Sequence, residues 1–449
     1  MKKIIPLMII SLSLVTNVYA RPAFDRNVDP VIIHGTQLSP FIGTDISSLR
    51  LYKVSNKSGK QVLEPIPFQI NERNKHGDWI FNFDGEGHPL PLKRTTLAQQ
   101  DELVFMAKDA GIKMGIPNLF LRGDKFIEII LTDPLTRSHA YAYLVFFQRN
   151  APPLSPVKYI HFESGPDRVS TDLYTVGFLK KEPLEYNYFL VPKSAGGGGI
   201  NLFRGFRMSI DISAFWGKLK IHRDEHDFKS RLVDYILGPI MVIRRVKNSM
   251  NVMLGIQSPS ILSDSSFYPD YFEFPSIVNI PMNLSILSNG KLLTTTNFNK
   301  NAIGMIFYNS NNPRGLKITG KMSYAQKHLN MGPYDWAVIA GPQGAWMNRV
   351  VLGKDVPFTK DLYFVDDERK GEIADTGYNF GNLIKAHQGV YTFTSYIYVP
   401  VGYKPGDERA WLNIIDYPII TMIYYQGKLV KPIKVELKKS KHMEEKYAF

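Results

Sequence analysis

The sequence predicts an all-β, exported, multi-domain protein: an N-terminal β-sandwich followed by a large antiparallel β-sandwich. Three observations carry this. Runs rich in Ile, Val, Phe, Tyr and Thr return along the whole chain, at 49–54, 102–107, 126–131, 140–147, 240–246, 302–307, 337–340, 390–399 and 419–425. Turn clusters bound them, such as Asn56-Lys57-Ser58-Gly59, Asp84-Gly85-Glu86-Gly87, Asn289-Gly290 and Asn311-Asn312-Pro313-Arg314-Gly315. Helical patterns are few: residues 226–237 and 373–386 are the two candidates, and neither shows a clean 3.6-residue stripe. Without strand–helix alternation, a parallel-sheet enzyme fold is disfavoured.

Composition bounds the rest. The 449 residues are 44% hydrophobic and 21% charged, a globular balance with length for two or three domains. There is no cysteine, which excludes disulfides, thiolate catalysis, thiolate zinc and iron–sulfur sites. Lys and Arg number 54 against 41 Asp and Glu, a net charge of +13. Residues 1–20 carry Lys2 and Lys3, an apolar stretch from Ile4 to Val15, and Val18-Tyr19-Ala20 with small residues at the −3 and −1 positions. This is the pattern of a cleaved Sec-type signal peptide, so the mature chain is expected to be periplasmic or secreted. No later stretch approaches eighteen apolar residues, so no membrane span is expected after cleavage. A cysteine-free exported chain suits a bacterial periplasm. Export turns the basic balance away from nucleic acid, towards an anionic or neutral glycan or an envelope protein.

Three prolines in Asn150-Ala151-Pro152-Pro153-Leu154-Ser155-Pro156 mark the clearest boundary. The expected organisation is a β-sandwich over 21–150, a linker over 151–157 and a large sandwich over 158–437. A sub-boundary is placed near 309–315, and a basic tail over 438–449. Residues 430–437 read as a last edge strand guarded by lysines. No repeat of fixed period occurs, so a propeller or solenoid is disfavoured.

Candidate sites follow from residue type and spacing. Asp84-Gly85-Glu86-Gly87-His88 alternates carboxylates with glycine, which suits calcium through Asp84 and Glu86 or an ordinary strand turn. Calcium is the one cofactor this leaves open. His222-Arg223-Asp224-Glu225-His226-Asp227 places His222 and His226 four apart, within reach of one metal on a helix but not on a strand. Gly196-Gly197-Gly198-Gly199 reads as a close-packed loop or a mobile cover over a groove lined by Arg204, Arg207 and Lys218. Ser266-Phe267-Tyr268-Pro269-Asp270-Tyr271-Phe272-Glu273-Phe274-Pro275 interleaves aromatics with acids in a proline-bounded segment, as do Tyr334-Asp335-Trp336 and Trp346-Met347-Asn348-Arg349. Such residues stack sugar rings or simply fill a core.

In Gly238-Pro239-Ile240-Met241-Val242-Ile243-Arg244-Arg245-Val246-Lys247, Arg245 and Lys247 share a strand face with Ile243 and Met241. Arg244 and Val246 take the other face. This Gly-Pro-led, arginine-bearing strand resembles one in carbohydrate-active sandwiches of the galactose-mutarotase type. The resemblance spans about ten residues and implies a supersandwich after the linker.

Three functions fit. The first is non-catalytic binding of a carbohydrate, cell-envelope polymer or partner protein, through Arg204, Arg207, Arg245, Tyr271, Trp336 and Trp346. The second is a polysaccharide lyase, epimerase or hydrolase, with His222, His226 or Tyr268 as acid or base and Arg244 or Arg245 neutralising a carboxylate. The third is a structural or assembly subunit of an exported complex. No serine-nucleophile elbow or phosphate loop is present.

Overall fold

The computed structural model describes residues 23–91, 94–115, 125–214, 218–253, 256–258, 260–280, 287–369, 372–385 and 387–433. The expected signal peptide and basic tail lie outside these residues.

The chain is all-β, with antiparallel pairing throughout. The first unit packs two sheets. Three strands, Pro30–His34, Glu102–Met106 and Gln69–Asn71, form one. Six form the other, in the order Lys428–Leu429, Ile420–Tyr425, Lys125–Thr132, His139–Phe146, Leu49–Lys57 and Lys60–Pro65. Lys125–Thr132 shows why: Ile127, Ile129 and Leu131 alternate inward, so one face is apolar. They close a core with Val31, Ile33, Leu103, Phe105 and Leu144.

In the six-stranded sheet, Ile420–Tyr425 comes from the far end of the chain, paired with Lys125–Thr132 from Thr132 opposite Ile420 to Ile127 opposite Tyr425. The expectation that residues 158–437 form one separate unit is corrected at this point. Ile423 is 2% exposed in the first unit's core, so the chain returns to complete it.

The second unit is a large sandwich. One layer holds a five-stranded sheet, ordered Leu219–Asp224, Phe203–Ala214, Leu287–Asn299, Glu372–Gly381 and Thr359–Arg369. Beside it lies a four-stranded sheet from Ile160–Glu163 to Tyr186–Leu190. The facing layer is a ten-stranded sheet. Its order runs Phe228–Leu237, Val242–Met253, Ile261–Phe267, Tyr271–Ile280, Gly389–Tyr398, Gly344–Leu352, Trp336–Gly341, Ile306–Asn309 and Asn312–Lys317, with Ile256–Gln257 beside the second strand. Phe189, Phe203, Phe272, Phe298, Trp346 and Tyr378 fill the space between the layers.

Both candidate helices are strands. Phe228–Leu237 and Glu372–Gly381 pair along their lengths, and in each, side chains alternate across the sheet. Residues 309–315 are the tip of a hairpin inside the ten-stranded sheet, not a boundary. The last strand among the described residues is Lys428–Leu429; residues 430–433 are not in a strand, and 434–437 of the expected 430–437 lie outside the described residues. The helix Glu408–Asp416 was not foreseen; its Trp411 and Ile414 cover the outer face of the ten-stranded sheet. Among the described residues no helix is long and apolar enough to cross a membrane.

Ile423→Ala should cost about 2–4 kcal/mol of stability, the range for truncating a buried aliphatic side chain. Urea unfolding measures it, and a loss below about 0.5 kcal/mol would contradict this strand's place in the first core.

Candidate functional site

The strand Tyr271–Ile280 presents two different faces. Phe272 and Phe274 point into the sandwich, whereas Tyr271 and Glu273 point to the outer face. Cross-strand register then sets neighbours across that outer face. Ser266 stands opposite Glu273, Glu273 opposite Tyr396, Tyr396 opposite Arg349 and Arg349 opposite Trp336. The next row holds Tyr271, Tyr398, Met347 and Val338.

This face is covered by the first unit and by the helix Glu408–Asp416. Arg349 ties the helix down through Asp416 at 2.9 Å. Arg26 grips the helix end from the other side, donating to the carbonyls of Asn413 (3.2 Å) and Tyr417 (2.9 Å). A cation suits carbonyls at a helix C-terminus; that of Asn413 also accepts the capping N–H of Tyr417 at 3.0 Å. The same guanidinium holds Asp29 through Nε at 3.1 Å and Asp133 at 3.3 Å.

Where these surfaces meet, a cavity of about 280 Å³ remains. Asp29, Pro30, Val31 and Ile32 line one side and Ile414, Ile415, Pro418, Ile419 and Thr421 another; Tyr268, Tyr271 and Glu273 complete it. The rings of Tyr268 and Tyr271 stack with centroids 4.8 Å apart. The tight turn between them is closed by Tyr268 N–H donating to the Tyr271 carbonyl at 2.8 Å.

Glu273 is the group on which chemistry centres. Burial pushes its carboxyl up to about 7, and Glu102 adds to this, while Ser266 and Arg73 pull the other way. Glu102 itself is neutralised by Arg73 at 2.8 Å. The hydroxyls of Ser266 and Tyr398 are buried on the same face without an aligned hydrogen-bond partner among the described residues. Near neutral pH Glu273 therefore exists in both protonation states and can donate or accept. Burial raises the phenols of Tyr268 and Tyr271 well above their ordinary value, so both stay protonated. A phenol held protonated can donate its hydrogen and still accept at its oxygen.

Other predicted residues are placed elsewhere. Arg244 is 1% exposed and points into the sandwich, held by Asp167 with Nε at 2.8 Å and lying 3.9 Å over the Phe178 ring. Arg245 pairs with Asp264 at 2.6 and 2.7 Å and lies over Phe81. Both guanidiniums are spent on internal partners, which corrects their reading as free anion receptors. Trp346 is 1% exposed and packs edge-on to Phe203 and Phe298, so no sugar reaches it. Trp336 is largely buried under the first unit.

Arg207 lies on the solvent side of the five-stranded sheet and pairs with Glu372, with Glu225 at 3.8 Å. Arg204 is exposed on the same strand. His222 shares this sheet and bonds Asp211 at 2.7 Å, which raises its pKa. His226 sits in the 3-10 turn Glu225–Asp227 beyond the strand's end. Neither histidine approaches the cavity's lining.

No group of three or more His, Asp or Glu side chains that could hold a metal ion occurs among the described residues. Asp84 accepts from the backbone N–H groups of His88 (2.9 Å) and Glu86 (2.8 Å) and from the His88 ring (3.1 Å), which holds its carboxyl down at about 2. It closes its own turn, and Glu86 turns away to Lys247. The four-glycine loop is close-packed: a side chain at Gly197 would strike Val191.

Glu273 is one of the two acids of the aromatic segment 266–275 that the sequence marks, and only the fold singles it out within that segment.

No protein-family model matches the chain, and no curated protein matches it. Among solved structures it is similar to an alpha-mannosidase from Enterococcus faecalis V583, at 11% identity over 91% of this chain and 44% of that one, TM-score 0.45. It is also similar to a protein in the Glycosyl Hydrolase Family 38 from Enterococcus faecalis, at 11% identity over 86% and 43%, TM-score 0.42. A third is heparan sulfate lyase HepC from Pedobacter heparinus, at 12% identity over 60% and 39%, TM-score 0.30. The chain spans less than half the length of each. Likeness at this level carries no argument about activity.

Asp167→Ala should destabilise the protein by about 3–5 kcal/mol, because it strands Arg244 as an uncompensated buried charge. Denaturant unfolding reads this; a cost under about 1 kcal/mol would show that Arg244 is not anchored as described.

Proposed function

We propose that this is an exported, periplasmic protein that binds a carbohydrate without transforming it, and that one sugar ring or chain end enters the cavity at Glu273. The observation that carries this is the combination of stacked Tyr268 and Tyr271 with a carboxyl at about pKa 7 that has no ion pair among the described residues, lining one cavity. Ligand sites characteristically join apolar and aromatic walls to a few converging polar groups, and occur where domains meet. Phenol donors, the Asp29 and Glu273 carboxyls and aliphatic walls match a ring with hydroxyls on its edge and C–H groups on its faces. At about 280 Å³ the cavity lies at the small end of the ~300–1,000 Å³ typical of ligand pockets, which suits one ring rather than an extended polymer.

A second reading, an enzyme on the same cavity, is favoured by one feature. A carboxyl poised near neutral pH is what general acid–base catalysis of sugars needs. In that case Glu273 moves the proton and Tyr268 donates a hydrogen bond.

Thermal unfolding against neutral and acidic mono- and oligosaccharides tests the binding. A ligand at one hundred times its dissociation constant adds about 2.7 kcal/mol, a shift of several degrees. Glu273→Gln and Tyr271→Ala should each weaken a neutral-sugar ligand about tenfold or more. A flat panel, or unchanged affinity in both variants, would overturn the site. Product formation abolished in Glu273→Gln would select the enzyme reading.

The same carboxyl sets a pH signature. Its folded pKa is raised above its ordinary 4.5, so the folded state holds the proton more tightly. Its stabilising contribution is complete below about 4.5 and is lost as pH rises through about 7. Wild type should lose up to about 3 kcal/mol from this group between those limits. Glu273→Gln should remove that part of the slope and be the more stable protein at pH 8. Parallel slopes for the two proteins in urea unfolding from pH 5 to 8 would refute the assignment.

A further inference from the structure

A second feature on the outer face of the ten-stranded sheet lies at its edge, away from the cavity. The paired strands Phe228–Leu237 and Val242–Met253 place Lys229 and Arg231 on one face, with Arg231 opposite Lys247 and Lys229 opposite Ser249. Together with Ser260 they line a groove of about 190 Å³. Three cations on adjacent positions repel one another, so the arrangement invites an anion.

One anion is already there. The turn carrying Asp84 and Glu86 comes from the first unit and leans over this edge. Glu86 pairs with Lys247 and stands 3.8 Å from Arg231, whose guanidinium also donates to the Gly85 carbonyl. Lys247 holds the Glu86 carboxyl below its ordinary value. Lys229 is exposed and carries no ion pair among the described residues. Glu86 is 62% exposed, and the turn is closed by Asp84 rather than by Glu86. Its hold on the groove is therefore a solvated ion pair, which contributes little and is cheaply exchanged.

We propose that the groove of Lys229, Arg231 and Lys247 binds a sulfate or carboxylate group of an acidic polysaccharide, and that Glu86 occupies it in the free protein as an internal competitor. The polysaccharide part of this rests on the carbohydrate-binding reading above; the anion site and its competitor rest on the groove alone. An incoming oxyanion takes Lys229 together with the two cations that Glu86 releases, and Ser249 and Ser260 stand beside it as hydroxyl donors. Neutralising Glu86 should strengthen binding, the reverse of what removing a structural contact does.

Titration calorimetry at low salt with dextran sulfate and polygalacturonate, against uncharged dextran, tests this on the full mature chain. The wild type should bind at least one charged polymer and not dextran, with affinity falling as salt rises. Glu86→Gln should tighten binding about three- to tenfold, and the double variant Lys229→Ala with Lys247→Ala should weaken it at least about tenfold. Asp25→Asn, a remote exposed carboxylate, changes net charge equally and should leave affinity unchanged. Equal gains from Asp25→Asn and Glu86→Gln would reduce the effect to overall charge and overturn the proposal. So would unchanged affinity in Glu86→Gln, or full binding by the double lysine variant. Neutral-sugar stabilisation through the cavity is read separately in Glu86→Gln and should not move. A charged polymer that binds while every neutral sugar fails sinks the cavity reading and leaves the groove standing, and the converse result does the opposite.

Discussion

Two apolar faces on one sheet are the constraint from which the rest of the structure follows. In an ordinary antiparallel sheet one face is wet. Here Phe272, Ile397, Trp346 and Ile339 turn into the sandwich, while Tyr271, Tyr398, Met347 and Val338 fill the opposite face of the same four-strand stretch. Leaving that second face in water would cost about 25 cal/mol for each Å² of apolar area. The first unit and the helix Glu408–Asp416 must therefore dock on it, and Phe81, Val104 and Met106 do so from the first unit. The return of the chain to pair Ile420–Tyr425 with Lys125–Thr132 then locks the arrangement, because the helix leads directly into that strand.

Docking buries groups that a free sheet would leave solvated. Most of them are neutralised: Arg349 by Asp335 and Asp416, Arg245 by Asp264, Arg26 by Asp29 and Asp133. Glu273 alone in its row gains no cation of its own, since Arg73 is held by Glu102. A carboxyl in that position answers burial by taking up a proton, and so its titration moves towards neutrality. The cavity exists because side chains from three directions meet there without interdigitating. The cavity and the raised Glu273 carboxyl thus share one origin, the covering of a doubly apolar sheet.

The basic edge has the opposite character. Phe228–Leu237 is an outermost strand, and covering stops short of Lys229. Charges there remain solvated and exchangeable, which is why an internal carboxylate can stand in for an external one. Across a single face the protein passes from a cavity walled by aromatic and aliphatic side chains to an exposed cationic groove. The mixed character expected of a carbohydrate-binding surface is distributed between two places rather than blended in one.

Much of the fold was legible in local pattern. Alternation of apolar residues marked 126–131, 390–399 and 419–425 as strands, and the alternation in Ile243-Arg244-Arg245-Val246 correctly put the two arginines on opposite faces. Less of the site was legible. Tyr268, Tyr271 and Glu273 share one segment that the sequence marks, but nothing in it ranks Glu273 above Asp270, and Arg244, Trp336 and Trp346 are packed inside. The sequence by itself determined the all-β class, because residue alternation and turn chemistry act over a few neighbours. Only the tertiary structure decided which polar residues face a cavity and which face a partner. That depends on register across strands far apart in the chain, and on a C-terminal strand completing an N-terminal sheet, which no local pattern encodes.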